Sequence, residues 1–204
     1  MTAAATEPRD WAPDPFCNLA KLAIFGRHVG ARLDANPAVE PIDTPLADMF
    51  VVARFLTRRD CKSVTEVINA NASPSTLQRG TEREGFGTSY THHFAAEDAL
   101  TRSIELYISD LLGIDDLHSE LMQGQRYRPG EQYKHHHDFF YHGEGYWQLD
   151  RPRGGQRTWT AMICVHEPKE GGETDFPHLV LRFTLQTGAM YVCGTTWRAT
   201  GVPT

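Results

Sequence analysis

No run of apolar residues in this 204-residue chain approaches the length of a bilayer crossing, and Met1 to Asp10 contain no basic stretch leading into an apolar core. The expectation is a chain with no membrane partner, placed by default in the cytoplasm. Positive charge is also scarce: 20 Lys and Arg stand against 26 Asp and Glu, a net charge of -6. Phosphate backbones require a basic surface, so nucleic acid is not expected as a partner. Cysteine is sparse and scattered, at Cys17, Cys61, Cys164 and Cys193, with no Cys-x-x-Cys spacing. That pattern disfavours a zinc ribbon or a redox pair and predicts reduced, structural thiols. No internal repeat is visible, and the length suits a single domain.

Prolines punctuate residues 1–45, at positions 8, 13, 15, 37, 41 and 45, and only Leu19, Leu22 and Phe25 show a helical period. This stretch is expected to be a partly irregular lead-in to a domain over 46–204. The run from Phe50 to Phe55 reads as a strand, and Thr57-Arg58-Arg59-Asp60 as a capping box opening a helix with Cys61, Val64 and Ile68 on one face. A second helix carries Leu100, Ile104, Ile108 and Leu111 at three- and four-residue steps, with Gly113 where a C-terminal cap belongs. After Asp116 short β-rich runs separated by Gly and Pro turns take over: 123–127, 132–140, 158–165, 179–185 and 189–193. Helices first and short strands afterwards predict an α+β domain whose second half is a β-sandwich or barrel of jelly-roll type.

The richest segment is Tyr133-Lys134-His135-His136-His137-Asp138. On a strand, residues i and i+2 share a face, so His136 and Asp138 can grip one metal ion while His135 and His137 point away. An imidazole and a carboxylate are two-thirds of the 2-His-1-carboxylate triad that leaves one side of Fe(II) open. A loosely metal-binding surface His tract, including His142, is the competing reading of the same residues. Tyr127 and Tyr133 frame the segment, as donors to a bound carboxylate or as ordinary half-buried strand tyrosines. Gly154-Gly155 and Gly171-Gly172 each open a hairpin, and Glu173 is expected to be solvated.

In order, these motifs read Gln-x-Tyr-x-x-Gly-x-x-Tyr-x-x-His-x-Asp over 125–138, Gly-Gly-Gln-Arg-x-x-Thr over 154–160, and Gly-Gly-Glu-Thr-x-Phe-Pro over 171–177. The order resembles the prolyl 4-hydroxylase-like family of Fe(II)- and 2-oxoglutarate-dependent dioxygenases, over roughly residues 48–204, with Phe86-Gly87-Thr88-Ser89 where the family has Arg-Thr-Ser. The resemblance implies a double-stranded β-helix, the cupin-like jelly roll, supported by N-terminal helices. It implies that His136 and Asp138 ligate Fe(II) and carry the catalysis, and that Tyr127, Tyr133 and Thr160 line the 2-oxoglutarate pocket. The implied reaction consumes O₂ and 2-oxoglutarate, releases succinate and CO₂, and hydroxylates a peptidyl proline or another aliphatic C–H, with ascorbate re-reducing the iron.

The departures are equally specific. Cys164-Val165 replaces the family's Tyr-Leu, and His135 stands where a proline often precedes the metal histidine. The family's second iron-binding His and its Lys or Arg for 2-oxoglutarate are expected beyond Thr204, after a Gly-x-Pro that Gly201-Val202-Pro203 resembles, so the domain is expected to be incomplete at its C-terminus. His166 and His178 are expected to be exposed, and Arg182 and Arg198 to be surface charges rather than substitute anchors. Two further functions remain open: a catalytically impaired member that binds a metal, a 2-oxo acid or a protein, and a cupin-like protein with another metal.

Overall fold

The structure, a computed structural model, describes residues 18–44, 47–75, 88–136, 138–140, 143, 145–152 and 155–194. Helix α1, Leu19–Asp34, starts at Asn18, whose side chain accepts from the Lys21 N–H at 3.0 Å. Leu22, Phe25, Val29 and Leu33 recur at helical steps, and Val29 and Leu33 are buried. A two-residue strand β1, Glu40–Pro41, then pairs antiparallel with β2, Asp48–Val52. The described part of the expected lead-in is therefore a core helix and an edge strand of the main sheet, because the apolar stripe continues past Phe25 to Leu33. The strand expected at Phe50–Phe55 lies slightly earlier, at Asp48–Val52.

Helix α2, Arg58–Asn71, begins with the expected box: Thr57 Oγ1 accepts from the Asp60 N–H and donates to Asp60 Oδ2. Strands β3, Ser73–Pro74, and β4, Tyr90–His93, lead to α3, Ala99–Leu112. Asp98 caps α3, and Gly113 closes it in the left-handed region at φ 69°. Arg32 of α1 donates to the terminal α3 carbonyls of Asp110 and Leu111, an interaction that a helix C-terminus favours. Strand β5, Gln123–Arg126, completes the antiparallel order β3-β4-β5. After the short helix α4, Trp147–Asp150, come β6, Trp159–Ile163, the hairpin of β7, Thr174–Phe176, and β8, Leu181–Phe183, and finally β9, Met190–Gly194.

The main sheet has the order β1-β2-β9-β6, all antiparallel. Alternation along its strands splits the core. Phe50, Val52, Met190 and Val192 face one cluster with Val29 and Leu33 of α1 and Leu112 of α3. Met49, Tyr191 and Cys193 face the other side, where Phe176, Leu181 and Phe183 of the β7–β8 hairpin cover them. A third cluster joins α2 and α3 to the second sheet through Val64, Ile68, Phe94 and Ile104. Among the described residues no helix is long and apolar enough to cross a membrane.

One expected strand is absent. Among the described residues of 132–140, read as the metal-bearing strand, there is only a single bridge at Tyr133, and Asp138 to Phe140 are irregular. The backbone there is satisfied by side chains instead of a ladder: the Phe140 N–H and C=O both bond the Gln156 amide, and the Asp138 carbonyl accepts from Arg157. His137, His142, Gly154, Arg198, Phe86-Gly87 and Gly201-Val202-Pro203 lie outside the described residues.

Candidate metal centre

Although no strand holds them, His136 and Asp138 are brought together: His136 Nε2 lies 3.3 Å from Asp138 Oδ1. The other ring nitrogen, Nδ1, contacts the Lys134 carbonyl oxygen at 2.8 Å. A carbonyl oxygen only accepts, so Nδ1 carries a proton; Nε2 then either carries a second proton and donates to the carboxylate or, as neutral imidazole, offers its lone pair to a metal beside it. Two electron-rich atoms aimed at one another require a proton or a cation between them. This donor set suits Fe(II), which takes imidazole nitrogen and carboxylate oxygen together. Among the described residues no third His, Cys, Asp or Glu joins the pair to make a metal-binding group.

The electrostatics are those of a coupled pair. Burial works against the charged imidazole of His136, but its bonds to Asp138 and to the Lys134 carbonyl outweigh that and raise its pKa. The bond from His136 holds the Asp138 carboxyl below the usual range, opposed by burial and helped by Arg157 and Thr160. Thr160 Oγ1 donates to Asp138 Oδ2 at 3.2 Å, so both carboxylate oxygens are engaged.

Of the other residues assigned from sequence, Thr160 and Tyr133 stand directly at the pair. The Tyr133 ring meets the His136 imidazole edge-on with centroids 4.5 Å apart. Tyr127, after β5, bonds the Gln125 side chain through its hydroxyl. Its pKa is raised by burial and by Tyr133, against a lowering bond with Ser89. Ser89, the described end of the Phe-Gly-Thr-Ser segment, is thus tied to Tyr127. His135 turns away as expected and pairs with Asp175 at 3.1 Å; Arg182 binds the same carboxylate oxygen at 3.0 Å. His166, His178 and Glu173 are exposed.

Several neighbours carry no role in the sequence reading. Tyr191 and Cys193 project from β9 to the hairpin side of the sheet, Cys193 in register with Thr160. Burial raises both pKa values, with the Asp138 charge contributing, and the Cys193 thiol is pushed up to about 12. Arg157 binds Glu120 through two nitrogens at 2.5 and 2.6 Å. The Gly-Gly-Gln-Arg motif marked this segment, but nothing in local spacing connects Arg157 to Glu120, 37 positions away.

Comparison with known proteins bears on this arrangement. No family model matches the sequence. The chain is 31% identical over 132 residues to "Probable prolyl 4-hydroxylase 10" of Arabidopsis thaliana, covering 62% of this chain and 44% of the relative. It is 27% identical over 136 residues to "Prolyl 4-hydroxylase 1" of the same organism, covering 63% and 46%. The curated relatives that it matches are prolyl 4-hydroxylases, and the chain is similar to that family over about two-thirds of its own length. It spans about half the length of the curated relatives it matches. A solved structure, viral collagen prolyl hydroxylase from Paramecium Bursaria Chlorella virus-1 in a 2OG complex, superimposes with a TM-score of 0.50 at 23% identity, covering 84% of this chain and 90% of that one. That likeness gives the fold: an α+β, cupin-like jelly roll, as expected from the sequence.

Proposed function

We propose that this chain is an Fe(II)- and 2-oxoglutarate-dependent hydroxylase acting on a peptidyl proline or another aliphatic C–H, with succinate and CO₂ as co-products. The reading rests chiefly on the approach of His136 Nε2 to Asp138 Oδ1, with Nδ1 engaged by the Lys134 carbonyl so that Nε2 is the nitrogen placed to bind a metal. His136 and Asp138 would hold the iron, which supplies the redox centre coupling 2-oxoglutarate decarboxylation to hydroxylation. Thr160 steadies the Asp138 carboxylate through Oδ2. Tyr127, Tyr133 and Thr160 would line the co-substrate pocket; the Tyr127 and Thr160 hydroxyls, which here donate to Gln125 and Asp138, would have to turn from those partners to donate to a co-substrate carboxylate. The Tyr133 ring covers one edge of His136 and limits water there. Ascorbate would serve as reductant for the iron.

Anaerobic titration with Fe(II) and 2-oxoglutarate tests the assignment. A weak visible charge-transfer band is expected, lost in His136→Ala and in Asp138→Ala; a band that survives in both variants refutes it. Admitting O₂ with a proline-containing peptide should then release succinate. Binding of iron and 2-oxoglutarate without succinate release is the outcome expected of the alternative reading, a family member that binds without turnover.

A further inference from the structure

The Asp138-Phe139-Phe140 segment faces a physical difficulty: it must aim a carboxylate, yet it lies in no strand or helix that would fix its backbone. Gln156 supplies the missing restraint. Its Oε1 accepts from the Phe140 N–H at 2.5 Å, and its Nε2 donates to the Phe140 carbonyl at 2.9 Å. A primary amide thereby takes the place of a neighbouring peptide, giving one donor and one acceptor to one residue as a strand partner would. The same Oε1 accepts from the Arg157 backbone N–H at 3.3 Å, which fixes the amide's own orientation.

Phe140 is a sound point to hold. It is buried, its ring packs against Tyr146 and Trp147, and the Arg157 guanidinium lies 4.5 Å above it. Two residues earlier, the Asp138 carbonyl accepts from Arg157 Nη1 at 3.2 Å. The span from Asp138 to Phe140 is thus pinned at both ends by two consecutive side chains, and between the pins little freedom is left to the Asp138 carboxylate.

We infer that Gln156 is a positioning residue for Asp138: by binding the Phe140 backbone it sets the carboxylate against His136 Nε2 without touching either group. This inference rests on the reading of His136 and Asp138 as the Fe(II) ligands. Groups outside the coordination sphere that orient a ligand commonly change metal affinity by roughly 10- to 100-fold.

The test compares wild type, Gln156→Ala and Gln156→Glu in anaerobic Fe(II) titrations, with Asp98→Ala as a variant destabilised at a helix cap far in sequence from the site. Gln156→Ala should weaken Fe(II) binding roughly tenfold or more. Gln156→Glu keeps the acceptor for the Phe140 N–H and loses the donor to its carbonyl, so it should fall between the two and serves if the alanine variant does not fold. Asp98→Ala should bind Fe(II) like wild type at temperatures where it is folded. In metal-free protein the Cε1 proton resonance of His136 should move in the Gln156 variants and stay in place in Asp98→Ala. Wild-type affinity and an unmoved resonance in both Gln156 variants overturn the inference while leaving the proposed function intact. A wild-type protein that binds no Fe(II) removes the proposed function, while the resonance in metal-free protein still decides whether Gln156 positions Asp138 against His136.

Discussion

Arg157 holds Glu120 at two points, Nε to Oε1 at 2.5 Å and Nη2 to Oε2 at 2.6 Å. Its remaining nitrogen, Nη1, reaches the Asp138 carbonyl, so a carboxylate in the connection before β5 orients a guanidinium that orients the metal segment. Glu120→Ala should therefore weaken Fe(II) binding by up to roughly tenfold, less than loss of a ligand, through the disorder it gives Arg157. The pair is half exposed on the Glu120 side, so stability should fall by less than about 1 kcal/mol. Anaerobic titration and thermal melts of the same variant check both; a large drop in Tm with unchanged affinity would mean that Glu120 serves the fold and not the site.

Thr160 offers a narrower probe, because its hydroxyl donates to the one Asp138 oxygen that His136 does not approach. Thr160→Val keeps the shape and removes the donor. A hydrogen bond to a charged group contributes about 1.5–3 kcal/mol. With Asp138 partly exposed, the lower end applies, and Fe(II) affinity should fall roughly tenfold. Thr160→Ser should restore most of it. Equal affinity in the valine and serine variants would show that the hydroxyl does not act on Asp138.

Much of this was legible in the sequence, and the parts that were not share a cause. The caps at Thr57 and Gly113, the two helices they bound and the β9 alternation follow from local spacing, which local hydrogen bonds and one-sided burial enforce. The pairing of His136 with Asp138 was also legible, although the strand invoked to explain it does not form. What brings them together is the amide of Gln156 and the guanidinium of Arg157, long-range contacts that leave no periodic trace. Helix α1 was underestimated for a related reason: Val29 and Leu33 extend its apolar face through a stretch containing Gly26 and Gly30, which lower helix propensity until packing overrides it.

The cap of α3 gives a pH-dependent prediction. Asp98 Oδ1 accepts from the backbone N–H groups of Leu100 and Thr101, and the Thr101 bond leads in holding its carboxyl below the usual range, opposed by desolvation. A depressed folded pKa means that the stabilisation is complete above the unfolded carboxylate value, about 3.9, and disappears as pH falls through the lower folded value. At neutral pH Asp98→Ala should cost about 1 kcal/mol, or roughly 2–4 °C in Tm. The gap should narrow as the pH is taken below about 3.9. A gap of constant size across that window would show that the carboxylate charge contributes nothing to the cap.

Two glycines should respond unequally to alanine. At Gly188 φ is +90°, and an added Cβ would stand 2.5 Å from the Leu56 carbonyl oxygen, a backbone atom. The same residue donates to the Cys164 carbonyl and accepts from the N–H groups of Phe55 and Leu56, so the chain cannot move aside without losing three hydrogen bonds. At Gly124 the clash is with Cδ1 and Cγ1 of Ile68, also at 2.5 Å, but that side chain can change rotamer. Overpacking there should cost about 1–3 kcal/mol. Gly188→Ala should cost more, since strain of similar size adds to the clash, about 1–3 kcal/mol for the left-handed conformation. Denaturant melts of the two variants give the order directly, and a more stable Gly188→Ala would contradict the backbone argument.

Thiol chemistry tests the hairpin side of the sheet. Only the thiolate is nucleophilic, and burial together with the nearby Asp138 and Asp48 charges pushes Cys193 up to about 12. Cys61 is also buried and raised, by burial first and then by Asp60. In native protein at pH 8 neither should be alkylated by iodoacetamide over a period that labels a free thiol, whereas both should react after unfolding in denaturant. Peptide mapping by mass spectrometry separates the two sites. The β7–β8 hairpin packs on the cluster that holds Tyr191 and Cys193, with the Phe183 ring against Tyr191, so Phe183→Ala should open a cavity and expose the Cys193 thiol selectively, leaving Cys61 protected on the buried face of α2. Rapid labelling of Cys193 in unmodified native protein would mean that the hairpin does not cover the sheet as described.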